Sequence, residues 1–168
     1  KLDHEDELHW TRRSQNWNFM CADCHSTAVR KGYDAAADAF KTVYAEVAVG
    51  CEACHGPGSA HVAWAERKGS EPGKGLTELL DERRGVSWSR SGASMQPVRS
   101  RPRTTEREIE ACAQCHARRA QIAEGYQPGR AFMDYYLPAL LEPGLYHSDG
   151  QQLDEVFVWG SWLQSRMH

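Results

Sequence analysis

Apolar positions along this chain fall in short runs broken by Gly, Pro and polar turns, so the pattern predicts short elements joined by much irregular chain. After Gly56-Pro57-Gly58, Ser59 is placed to cap a helix through His61, Trp64 and Arg67 that ends near Gly69. Thr105 followed by Glu108 forms a capping box and opens a second helix, predicted to run to about Gln121. Asp154 is placed to cap a last helix with Val156, Trp159, Trp162 and Leu163 on one flank. Residues Asp34 to Val47 leave two readings open: the alanines suit a helix, whereas Phe40 to Val47 has the β-branched and aromatic content of a short strand. The stretch from Trp10 to Cys24 reads as an irregular arm. Residues 69–103, rich in Gly, Ser, Pro and Arg with one short helical pattern around Leu76 to Arg83, read as a surface insertion. Past Gly125, Pro128-Gly129, Pro138, Pro143-Gly144 and Asp149-Gly150 allow only short elements. The fold class expected is mainly α with extensive loops and little or no sheet, as a single domain over 1–168.

Composition makes such a domain difficult to stabilise by side chains alone. Of 168 residues only 40% are apolar, and the mean hydropathy is -0.68, so a conventional core would be thin. The net charge of -3 provides no cationic field and argues against a nucleic-acid partner. No apolar run is long enough to cross a bilayer, and the opening Lys1-Leu2-Asp3-His4-Glu5-Asp6-Glu7 lacks the apolar core of a signal peptide.

The cysteines alter this picture. All six lie in Cys21-Ala-Asp-Cys24-His25, Cys51-Glu-Ala-Cys54-His55 and Cys112-Ala-Gln-Cys115-His116, the pattern of a c-type haem attachment site. In such a site two thiols bond the porphyrin covalently and the adjacent imidazole ligates its iron. Zinc also suits paired cysteines with nearby histidines, but it has no need for a histidine directly after each second cysteine. With 8 His in 168 residues, three such coincidences arise by chance only about once in ten thousand. Disulfide staples explain the even count and leave the histidines unexplained, and a thioredoxin-like motif needs its own strand and helix framework three times over. Three haem c groups would also supply the missing apolar surface, packed against one another and against Trp10, Trp17, Trp64, Trp159 and Trp162.

Three histidines belong to the motifs, which leaves His4, His9, His61, His147 and His168 as second ligands for three irons. His61 follows Cys54-His55 by a Gly-Pro-Gly-Ser turn, so its imidazole is carried from its own motif toward a neighbouring iron. His147 occupies a tight turn, and His9 beside Trp10 is preferred to His4 in the acidic terminus. Met20, Met95, Met133 and Met167 are the alternative ligands, with packing as their plainer role. Arg99, Arg101 and Arg103 read as a solvated loop, or less favourably as a docking patch for an acidic partner or haem propionates.

His9-Trp10, Asn16-Trp17-Asn18-Phe19-Met20-Cys21 and Val49-Gly50-Cys51-Glu52-Ala53-Cys54-His55-Gly56-Pro57-Gly58-Ser59-Ala60-His61 together resemble multihaem cytochromes of the cytochrome c554-like group. The third motif with Arg118-Arg119, and Leu145-Tyr146-His147-Ser148-Asp149-Gly150, extend the likeness over most of the chain outside Gly69 to Arg103. The resemblance implies a compact fold built around close-packed haems in parallel and perpendicular pairs, with His61, His147 and His9 ligating neighbouring irons. It also implies export to the periplasm or cell exterior. Relatives usually continue into further haem motifs after a segment similar to Gly160 to Met167, so a truncated part of a longer chain is one expectation. The function expected is electron transfer between redox partner proteins, with mostly bis-histidine irons. One rival is a reductase of small nitrogen or sulfur compounds with an open iron and Arg118 and Arg119 orienting the anion. Another is a haem-bearing structural subunit of a larger complex or extracellular haem chain.

Overall fold

The computed structural model describes residues 1–92, 96–166 and 168. Its contacts divide the chain into one unit of Lys1–Leu79 with Ala123–Arg130 and a second of Leu80–Ile122 with Ala131–His168.

In the first unit the Trp-rich segment is more ordered than an irregular arm. The Asn16 side chain accepts the Phe19 amide at 2.9 Å and caps a helical turn over Trp17–Cys21, which leads directly into α1, Ala22–His25. The next residues are extended. Strands β1, Tyr33–Asp34, and β2, Ala39–Phe40, pair antiparallel, with the Tyr33 and Phe40 rings 5.0 Å apart. Bridges Arg30↔Val43 and Thr27↔Glu46 continue the pairing, so the β-branched content of 40–47 prevails over the alanines. Thr27, 1% exposed, fastens this layer: its hydroxyl donates to the Ala48 carbonyl at 2.6 Å and accepts the Gly50 amide at 2.9 Å.

Helix α2, Glu52–His55, is followed by α3, Ser59–Glu66. The N-cap of α3 falls on Gly58 instead of Ser59, and the Glu52 carboxylate accepts the Gly58 amide at 2.6 Å. No helix forms over Leu76 to Arg83. The Glu78 amide there is spent on the His55 carbonyl at 3.1 Å, and Leu80 takes a φ of 52°, both incompatible with a continuing α-turn.

In the second unit β3, Trp88–Ser91, and β4, Gln96–Arg99, form a hairpin with Trp88 opposite Arg99. Helix α4, Arg107–His116, begins one residue after Glu106, and Thr105 Oγ1 accepts the Arg107 amide at 3.3 Å. Glu108 does not close the capping box; it pairs with Arg83 at 2.6 Å. The helix stops at His116 rather than Gln121, because the chain turns extended to pair β5, Arg119–Gln121, with β6, Tyr136–Pro138. Helix α5, Phe157–Leu163, opens at Val156, while Asp154 Oδ1 takes only the neighbouring Glu155 amide at 2.7 Å.

The buried apolar set is small: Ala22 in the first unit, and Ala111, Ala113, Ala117, Phe132, Tyr136, Tyr146 and Val156 in the second. Phe132, 0% exposed, lies 5.1 Å from the Tyr136 ring and 5.3 Å from the Trp159 ring. Large apolar side chains such as Trp10, Tyr44, Val49, Leu137 and Leu140 stand exposed.

Candidate haem-binding sites

All three Cys-x-x-Cys-His motifs fold alike. The four residues after the first cysteine are helical in each case, the histidine is the last helical residue, and the chain then leaves helical geometry at Ser26, Gly56 or Ala117. Positions i, i+3 and i+4 share one face of a helix, so both thiols and the imidazole project from the same side of a single turn. In the first and third motifs the residue after the first cysteine faces the other way, Ala22 and Ala113 being fully buried, while the corresponding Glu52 of the second is exposed. Cys51, Cys112, His25 and His116 are exposed, and Cys21, Cys24, Cys54, Cys115 and His55 are half-buried. The first and third motif helices therefore bury their alanines behind the reactive face, whereas α2 has no buried residue and its Ala53 is half-buried.

That face fits a covalently held porphyrin in two respects. The donor set is one imidazole and two thiols per turn, with no disulfide among the six cysteines. Burial, with the neighbouring Cys51 next in weight, pushes the Cys54 thiol up from its ordinary value. Exposed apolar neighbours along the chain, Met20 before Cys21 and Val49 before Cys51, would lie against a large apolar ring. Among the described residues, no three His, Cys, Asp or Glu side chains converge as they would around one ion.

Two imidazoles have their orientation fixed by backbone. His55 Nδ1 lies 2.7 Å from the Glu78 carbonyl oxygen and His61 Nδ1 lies 2.6 Å from that of Lys74. A carbonyl can only accept, so the ring proton is on Nδ1 and donates, leaving Nε2 with the lone pair that binds a metal. Trp64 stacks on the His61 ring at 5.5 Å with 16° between planes. His9 is arranged differently: its Nδ1 accepts the Thr11 amide at 3.4 Å and faces the Thr11 hydroxyl at 2.8 Å. Trp10 beside it is 77% exposed. His147 is exposed on a turn closed by its amide donating to the Gln151 carbonyl at 2.8 Å and the Gly150 amide donating to its own carbonyl at 2.9 Å. His4 is exposed beside Asp3 and Glu5, and His168 Nε2 lies 3.3 Å from Glu106. Met20 and Met133 are exposed, whereas Met95 and Met167 lie outside the described residues.

The arginines of the basic run are tied to carboxylates and backbone carbonyls, with Arg99 and Arg103 half-buried and Arg101 exposed. Arg99 pairs with the Glu82 carboxylate, Arg101 donates to the Glu82 and Arg84 carbonyls, and Arg103 pairs with Glu106 and donates to the His168 carbonyl. Burial raises the Glu82 carboxyl, but the Thr104 amide, Arg99 and Arg103 outweigh it and hold the carboxyl below its ordinary value. The arginines after the third motif are similarly engaged. Arg119 donates to the Gln114 carbonyl at 2.8 Å with its guanidinium 4.1 Å from the Tyr136 ring centre, and Arg118 donates to the Glu155 carbonyl at 3.2 Å.

Two contributors escaped the reading of the sequence. Lys31 Nζ lies 2.9 Å from Asp23, inside the first motif, and donates to the Phe19 carbonyl at 2.8 Å. Nothing in the local pattern pairs those positions. The segment that receives the His55 and His61 rings was read as part of a surface insertion, although its Pro72-Gly73-Lys74-Gly75 run marks the tight turn that turns its carbonyls back.

No curated protein and no solved structure matches the chain. Residues 2–56 match the family described as Cytochrome c554 and c-prime, a stretch that contains the first two motifs and ends just after His55. Over that third of the chain the match supports a c-type cytochrome carrying haem c and engaged in haem-based electron transfer.

Proposed function

We propose that the chain holds three haem c groups, one at each motif, and passes electrons among them and to redox partner proteins. The observation that carries this reading is the shared local geometry: three stretches with different neighbours each present two thiols and a terminal imidazole from one helical turn. Bound there, the haem iron supplies reversible one-electron exchange. The polypeptide holds His25, His55 and His116 at the ends of α1, α2 and α4, and Cys21, Cys24, Cys51, Cys54, Cys112 and Cys115 anchor the rings.

His61 is the foremost second ligand, since its Nε2 is freed by the Lys74 carbonyl and its ring is steadied by Trp64. His147 and His9 complete the set; for His9, ligation through Nε2 requires the ring proton to move to Nδ1 and donate to the Thr11 hydroxyl, giving up the Thr11 amide bond that Nδ1 accepts here. Imidazole on both faces closes the iron to substrate. Arg118 and Arg119, the residues a reductase would use to orient an anion, are held by backbone carbonyls and the Tyr136 ring. Thioether attachment accords with maturation outside the cytoplasm, in a periplasm or at the cell exterior. Intact mass of the mature protein tests the count: three haem adducts and low-spin ferric spectra are expected. An unmodified polypeptide, stoichiometric zinc, or a high-spin signal that responds to nitrite would overturn the reading.

A further inference from the structure

Resting on the haem reading above, we propose that the strap Gly73–Leu79 is a single positioning device for two imidazoles and thereby sets the ligand strength at two irons together. Within the strap, Lys74 and Glu78 each turn a carbonyl onto a ring Nδ1, that of His61 at 2.6 Å and that of His55 at 2.7 Å. The Glu78 amide also donates to the His55 carbonyl at 3.1 Å, so His55 is clamped by two bonds to one residue. Lys74 and Gly75 both take left-handed φ, 53° and 68°, a tight bend at the residue whose carbonyl meets His61.

Glycine is required at 75 by close approach. A Cβ there would strike the Ala60 carbonyl and come within 3.0 Å of the His61 Cα. The strap is thus seated directly on the first turn of α3, which carries His61. At the other end a Cβ on Gly56, the residue after His55, would meet Thr77 at 3.1 Å. Both histidine-bearing turns are in contact with one short segment, each through a glycine.

A carbonyl accepting the Nδ1 proton makes the imidazole a stronger donor through Nε2 and fixes its plane. Loosening the strap weakens that donation at both rings. His25 and His116 belong to other elements, so the haem whose ligands include neither His55 nor His61 does not respond.

The test is Gly75→Ala in the mature, haem-loaded protein, with Gly73→Ala as control because a Cβ at 73 meets nothing within 4 Å. Redox titration followed by optical spectra, with electron paramagnetic resonance of the ferric state, reads each centre. In Gly75→Ala two low-spin signals and their potentials shift, the potentials rising as the ligands weaken, and the third stays; Gly73→Ala matches the wild type. Unchanged spectra and potentials, or a shift confined to one centre, overturn the strap while leaving haem binding intact. If Gly75→Ala does not accumulate, ring N–H exchange in the reduced wild-type protein decides: two slowly exchanging histidine ring protons support the strap, and rapid exchange of either refutes it. A chain without thioether-bound haem overturns both readings, and mass alone reveals that case.

Discussion

Replacing Lys31 by Met places the heaviest load on the first motif. The ammonium lies 2.9 Å from Asp23, and the two side chains are 14% and 6% exposed. At an effective dielectric near 20, unit charges at that distance attract by about 6 kcal/mol, much of it offset by the cost of taking both ions out of water. Removing the ammonium takes away the counter-charge of a nearly buried carboxylate, and breaking a buried pair in this way costs about 3–5 kcal/mol. The Phe19 carbonyl loses its donor in the same step. Domains of this size are stable by only about 5–15 kcal/mol, so Lys31→Met should lower the urea midpoint of the haem-loaded protein sharply, followed by far-ultraviolet circular dichroism. The double variant Asp23→Leu, Lys31→Met removes both buried charges and should regain most of the loss. A single variant that costs less than about 1 kcal/mol, the worth of an exposed pair, would refute the argument. So would a double variant as unstable as the single one.

Changing Cys112 and Cys115 together to Ala should reduce the covalent haem count by one, read by intact mass, with the adducts at Cys21/Cys24 and Cys51/Cys54 preserved. Phe132→Ala removes a fully buried ring packed against Tyr136 and Trp159 and should cost about 3–5 kcal/mol in denaturant unfolding; Phe132→Leu should cost clearly less. Burial first, then the charges of Glu106 and Asp134, raises the Glu110 carboxyl above its ordinary value, so its contribution is present below the unfolded-state value and is lost as pH rises through the folded one. Glu110→Gln should therefore stabilise at neutral pH and lose that advantage in acid. Glu82 has the opposite sign: its lowered carboxyl contributes above the unfolded-state value and that contribution is lost as pH falls through the folded one. Denaturation midpoints across a pH series for Glu110→Gln and Glu82→Gln should diverge accordingly.

Particular residues show how far the chain could be read before folding. The motif turns are local, because thiols and imidazole at i, i+3 and i+4 share a face in any single helical turn, and all three formed as such. The helices at 59–66, 107–116 and 157–163 were legible from turn residues and spacing, but their caps were not. Glu108 was claimed by Arg83, Asp154 took the adjacent Glu155 amide instead of capping, and Ser59 became the first helical residue after an N-cap at Gly58. The choice of strand over helix in 39–47 depended on Thr27 and Arg30, residues ten or more positions away that supply the pairing. The Arg99 to Arg103 run gave no sign of its partners, since Glu82 is 17 positions from Arg99.

The Cys-x-x-Cys-His pattern is written in five-residue words, and no folding is needed to know which cysteines and histidines form them. The tautomers of His55 and His61, the clamp on Asp23 and the engagement of every arginine in the basic run came only with tertiary structure. Each joins groups that sequence separation hides, and each is decided by which carbonyl, carboxylate or ring the backbone brings within hydrogen-bonding distance.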